Sequence, residues 1–446
     1  MPKKARLKRS DRPLEEIMTP REIEESFLPG LAEVSSQFLL LLAFWLPSRK
    51  KFERDFFFNL GKESDYIESF LDDFGARNNK RFVYYGQLVA STRWLAQTLF
   101  QYHHIRTRFD YYRIPLSKEE RKAFLESSAK KLSYFSRMMR LIGQEILEES
   151  HNIGIMPNKK PRAISSMTKT LPLRKILPSD LDQKVITEKE ERMVDLMMKF
   201  LEVRESFLLF YAEIKEKKRE ASEKLTEETI ESFRSSIHRL QSLYDTYLKN
   251  SDAEKEHPEL VTLRGSISIS LHLCEIGKFL LHFYERHAEK ITAFAVDRPR
   301  LRKISFTRIV EYVHHILFID AKTFFDTGRA LSEQMFISLE SDPDEYLLET
   351  VRLTIPHYHL EDFHLRPIMP VTRIAEKYRI ASFLYYNRKK YEIKSPLDMA
   401  MAIPDIREAL SRGTVSIILQ GSKKAVTEMK SFFNERCGAM ETKSAE

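Results

Sequence analysis

The sequence predicts a chain of two classes, a large all-α N-terminal region followed by a small α+β domain. Three observations predict it. Glycine is scarce, with 12 in 446 residues, which favours long helices with few tight turns. Aromatic and aliphatic residues recur at helical spacing through most of the chain before position 340. Beyond that point Val351, Leu353 and Ile355 alternate with Arg352 and Thr354, the period of a half-buried strand.

Residues 1–12 carry six basic side chains and are read as a disordered basic arm, with no export signal after them. Helical region A spans 13–152. It opens on Thr19-Pro20-Arg21-Glu22, a capping box with proline at the first helical position. The run Phe38 to Leu46 is the most apolar in the chain, yet shorter than the roughly 20 residues a bilayer requires. It is read as a buried helix, and no transmembrane segment is expected. Phe82 to Tyr112 marks a further helix, and Ser117-Lys118-Glu119-Glu120 caps another. His103 and His104 are adjacent and lack the i, i+4 spacing of a helical metal pair.

Residues 153–186 contain four prolines and seven basic residues, and are read as a basic linker. Helical region B spans 187–340. Met193, Leu196, Met197, Phe200, Leu201 and Phe207 form a helical stripe in its first helix. Further helices are expected over about 227–250, 258–290 and 304–338. In the last of these, His314 or His315 on an apolar face is read as a hydrogen-bonded core histidine rather than a ligand. The two cysteines, Cys274 and Cys437, are far apart and suit a reducing, cytoplasmic setting. The net charge of +8 permits an acidic partner without demanding nucleic acid.

In the C-terminal domain, 346–437, the strand at 350–355 is followed by a helix carrying Val371, Ile374, Ala375 and Tyr378. Strands return at Ile380–Tyr386 and Lys390–Ile393, turned by Asn387-Arg388. Ser395-Pro396-Leu397-Asp398 opens a second helix with a hydroxyl cap. Gly413 to Leu419 is a fourth strand, and Lys424 to Phe433 a third helix. The order β-α-β-β-α-β-α buries these apolar sets as a four-stranded antiparallel sheet with three helices on one face. Residues 438–446 are expected to be a disordered tail.

His364-Leu365-Arg366-Pro367 lies where the first of these helices begins. A histidine there faces unpaired N–H groups and the positive end of the helix dipole, an environment that favours a neutral ring and an added anion. Arg366 offers a planar donor fork suited to phosphate oxygens. This motif, with the element order, Lys394-Ser395 at the second helix and the Arg412-Gly413-Thr414-Val415 turn, resembles HPr, the histidine-containing phosphocarrier family of the bacterial sugar phosphotransferase system. The resemblance covers about the last 90 residues.

It implies an open-faced sandwich in which His364 is the phosphoryl acceptor, Arg366 stabilises the phosphate, and Leu365 and Pro367 complete the motif. Enzyme I would supply the phosphoryl group and a downstream phosphoacceptor protein would receive it, a transferase-like carrier rather than a free-standing enzyme. The helical region would dock or regulate. Ser395 matches the serine modified by HPr kinase in many members, but Pro396 and Asp398 depart from the residues usual after that serine, and the residues themselves read first as a plain helix cap. The family pattern is varied by Asp362 and Phe363 before the histidine, the insert at 357–361, and Pro370 one turn into the helix.

Two other classes fit the same residues. A non-catalytic scaffold would use the domain only to bind a partner. A basic surface protein would use the arm and linker on RNA or anionic membrane. His357 and His359 are two donors without a third, so no metal is assigned, and no phosphate loop, dinucleotide fingerprint, zincin motif or nucleophile elbow assigns a cofactor.

Overall fold

The computed structural model describes residues 17–48, 52–156, 189–216, 225–339, 342–387 and 389–441. The basic arm and most of the basic linker lie outside the described residues. The molecule is mostly helical, with one small antiparallel sheet near the C-terminus. Its residues group into two compact units, neither a single stretch of chain: 1–97 with 135–173 and 287–304, and 98–134 with 174–286 and 305–446.

The long helices before the sheet are α1 (Pro20–Trp45), α2 (Arg54–Asp73), α3 (Val83–Arg108), α4 (Lys118–Asn152), α5 (Lys189–Glu216), α6 (Glu227–Tyr247), α7 (Glu259–Phe294) and α8 (306–338). Caps fall where the residues predict them. Thr19 and Glu22 exchange capping hydrogen bonds, as do Ser117 and Glu120.

The apolar run at 38–46 belongs to a longer element than its sequence suggests. α1 continues backwards through Gly30 and Pro29, so its 26 residues are long and apolar enough to cross a bilayer. More than half of its most apolar window (56%) is nonetheless buried inside the protein. Pro29 has no N–H to continue the α ladder, and the turn before it widens to π geometry over Ile23–Phe27. In the first unit Phe27 packs among Phe70, Phe74 and Phe82. At the other end of α1, the Arg140 guanidinium donates to the carbonyls of Trp45, Leu46 and Ser48 and lies 4.3 Å from the Trp45 ring centroid. The start of the expected linker departs from its reading, because Ile153 and Ile155 are buried.

In the second unit the predicted stripe on α5 is buried, with Phe207 against Phe325 at 4.9 Å. The sheet contains β1 (Leu348–Ile355), β2 (Phe383–Tyr386), β3 (Lys389–Glu392), β4 (Val415–Ser422) and β5 (Met440–Glu441), in the order β3-β2-β4-β1-β5. Four strands were expected. The fifth is a two-residue edge strand on β1, with Thr354 opposite Met440, so the expected disordered tail is ordered at least through Glu441. Gly438, at φ 56°, ends the preceding helix in the left-handed conformation and turns the chain back to the sheet.

β1 pairs with β4 so that Val351, Leu353 and Ile355 face Leu419, Ile417 and Val415. Those residues, with Leu384 and Ile393, form one buried face. The helices α9 (Leu365–Ile368), α10 (Pro370–Glu376), α11 (Pro396–Leu410) and α12 (Lys423–Cys437) cover it through Val371, Met399, Ile406, Met429 and Phe433. α9 and α10 are one helical path broken at Met369, because Pro370 lacks the N–H that would bond to the Arg366 carbonyl.

Candidate functional site

His364 is held between two buried neighbours. Phe363 is fully buried and stacks on Phe433, and Ile368 is fully buried one turn later. Between them His364 occupies the N-cap of α9 in an extended conformation, φ −139° and ψ 171°. Its carbonyl accepts from Ile368 N at 3.2 Å, while its ring makes no capping hydrogen bond. The ring is half-buried on the wall of a cleft of about 760 Å³.

One wall of the cleft is Leu360, Glu361, His364 and Leu365; α11 supplies the other through Ile403, Pro404, Arg407 and Glu408. Pro404 lies inside α11. It cannot donate to the carbonyl of Ala400, which also lines the cleft, so that carbonyl loses its helical partner. Arg407 lies 3.7 Å from Glu361. The cleft therefore sets one imidazole and one guanidinium among two carboxylates.

Arg366 is exposed and is not among the residues lining this cleft. The cation there is Arg407, which the motif did not point to. Its signal was present as Ala400, Ile403, Pro404, Arg407 and Ser411, which recur at helical spacing on one face. Leu365 remains 45% exposed beside the histidine, and Pro367 is half-buried.

Ser395 is the N-cap of α11, its Oγ accepting from Asp398 N at 3.2 Å. The Asp398 carboxylate takes the N–H of Glu392 at 2.8 Å, which ties β3 to the helix start. Lys394 donates to the Tyr378 carbonyl at 2.7 Å. The loop histidines are used locally: His359 Nδ1 lies 2.8 Å from Asp362, and the ring of His357 packs against Tyr358. Among the described residues, no three or more His, Cys, Asp or Glu are arranged to hold a metal ion.

Among the helices, burial lowers His103 to about 4. His104 packs on His272 at 4.5 Å and meets the Tyr112 hydroxyl. His314 packs on Phe318, and burial lowers its pKa. His315 belongs to a cluster that sequence patterning did not reveal. It reaches Lys131 on α4 and Asp320 in a π-helical stretch of α8, Ile316–Ala321. Nothing in the spacing of residues 131 and 320 announces this contact.

No known family profile, curated protein or solved structure matches the chain.

Proposed function

We propose that the C-terminal domain is an HPr-like phosphoryl-accepting module, with His364 as the acceptor and the helical region as its docking or regulatory partner. The observation that carries this reading is the position of His364. It is the N-cap of α9, its ring is on the wall of a cleft, and the Arg407 guanidinium lines the same cleft. Leu365 and Arg366 offer first-turn N–H groups with no helical acceptor, Pro367 having none to offer, and each interaction of an anion with a helix start is worth about 0.3–1 kcal/mol at a surface. Arg407 adds a planar fork for phosphate oxygens.

In the reaction, a ring nitrogen of His364 forms a P–N bond as the P–N bond of the donor phosphohistidine breaks. The process reverses when the group passes to the next protein. Positioning and charge, rather than covalent chemistry by other side chains, carry such a transfer. The donor would be enzyme I. A cytoplasmic setting accords with two reduced, buried cysteines.

A second reading is favoured by Glu361 and Glu408, whose carboxylates line the same cleft. Their charge opposes an incoming phosphate, so the domain would act as a partner-binding scaffold. Labelling with phosphoenolpyruvate and enzyme I separates the two. The carrier reading expects label on wild type and Ser395→Ala, and none on His364→Ala. Equal labelling of all three proteins, or of none, favours the scaffold.

A further inference from the structure

Two carboxylates stand just before His364 in the chain, Glu361 and Asp362. Glu361 lines the histidine's cleft, with Arg407 3.7 Å away. Asp362 is not among the residues lining that cleft. Its charge is felt instead at the end of α12, where burial, and then Asp362, push the Cys437 thiol up to about 12. The group that holds Asp362 is His359. His359 Nδ1 lies 2.8 Å from the Asp362 carboxylate, which only accepts, so the proton is on Nδ1. The His359 carbonyl also takes the N–H groups of Asp362 at 3.1 Å and Phe363 at 3.2 Å. One residue thus fixes both the side chain of Asp362 and the backbone that leads to His364.

The C-terminal strap seats His359 in turn. A Cβ at Gly438 would lie 2.4 Å from His359 Nε2 and 2.7 Å from Cδ2, so the bare glycine admits the ring. Beyond it, Met440 pairs with Thr354 and Glu441 with Leu353, and Glu441 forms an ion pair with Lys430 of α12. The strap is therefore tied to the sheet and to the helix on either side of the contact. The histidine itself comes from the insert at 357–361.

We propose that His359 is a positioning residue for the phosphoryl site: seated by Gly438, it binds Asp362 and keeps that carboxylate away from an anion arriving at His364. The proposal deepens the phosphoryl-accepting reading and rests on it. Removing His359 frees a carboxylate two positions from the acceptor. Its negative charge then opposes the incoming phosphoryl oxygens and favours the protonated imidazole, which is not nucleophilic. A merely structural role predicts a loss that no change of charge at position 362 repairs.

The test uses the full chain and two readouts, the rate of labelling by phosphoenolpyruvate with enzyme I, and the pH titration of the His364 ring followed by NMR. In His359→Ala, labelling is expected to slow about tenfold and the His364 midpoint to rise by about one pH unit. Gly438→Asn should do the same, because asparagine tolerates the left-handed conformation while its Cβ displaces the His359 ring. Adding Asp362→Asn to His359→Ala should return both readouts close to wild type. A His364 midpoint unmoved in both His359→Ala and Gly438→Asn overturns the proposal, as does a shift that Asp362→Asn fails to reverse. A wild-type chain that takes no label sinks the phosphoryl reading, and the titration then still decides whether His359 holds Asp362 away from His364.

Discussion

The Lys131 ammonium lies 3.0 Å from His315 Nδ1, and both groups meet the carboxylate of Asp320. Lys131 is 2% exposed and Asp320 4%, so the pair is removed from water. Ser127 Oγ accepts a further hydrogen bond from Lys131 at 2.7 Å. Burial lowers the Lys131 pKa, and Asp320 opposes that change. Removing one partner leaves an uncompensated buried charge. Asp320→Ala is expected to destabilise the fold by about 3–5 kcal/mol. The double change Lys131→Met with Asp320→Leu should recover most of that loss. Urea denaturation of the three proteins measures it.

Acid stability should depend on Glu231. Hydrogen bonds from Arg234, Lys278 and Ser235 outweigh its partial burial and hold it at about 2, below an ordinary value of 4.5. Its folded pKa is below its unfolded one, so its contribution is complete above about 4.5 and is lost as pH falls toward about 2. Glu231→Gln should be less stable than wild type at neutral pH, and the difference should shrink through that window. Denaturation midpoints across the pH range give the comparison.

Gly328 admits Phe200 against the backbone of α8. A Cβ at this position would lie 2.6 Å from Phe200 Cε1, inside a packed ring. Gly328→Ala should cost about 1–3 kcal/mol through overpacking. Adding Phe200→Leu should return part of it, which a thermal melt of single and double variants would reveal.

If the His364 cleft accepts a phosphoryl group as proposed, Arg407→Ala should slow labelling of His364 by about a hundredfold, the scale of losing one preorganised charge contact in a transfer site. Arg366→Ala, on an exposed residue outside the cleft, should slow it less. Ser395→Ala should leave labelling intact while costing about 1 kcal/mol of stability as a lost helix cap. Rates of label incorporation and urea melts separate these effects.

Much of the C-terminal domain could be read from local patterns. The alternation of Val351, Leu353 and Ile355 shows in register against β4. The capping residues Thr19, Ser117 and Ser395 each mark a true helix start. Local patterns fail where structure depends on distant packing. Met440 and Glu441 are too few to show a period, so β5 is visible only once β1 offers an edge. The two compact units join stretches more than a hundred residues apart, and no local signal carries that. At the candidate site, His364 was evident from its motif. Arg407 was not, because it comes from a different helix and reaches the cleft only when α11 packs beside α9. Lys131 and Asp320 were missed for the same reason.

The central claim is that His364 accepts a phosphoryl group. The most direct test is to incubate the full chain with phosphoenolpyruvate and a bacterial enzyme I, then locate the modification by tandem mass spectrometry at mildly basic pH, which preserves phosphohistidine. The account predicts a single added phosphoryl group on His364, absent from His364→Ala. An unmodified chain, or a phosphoryl group on any other residue with His364 left free, would contradict it.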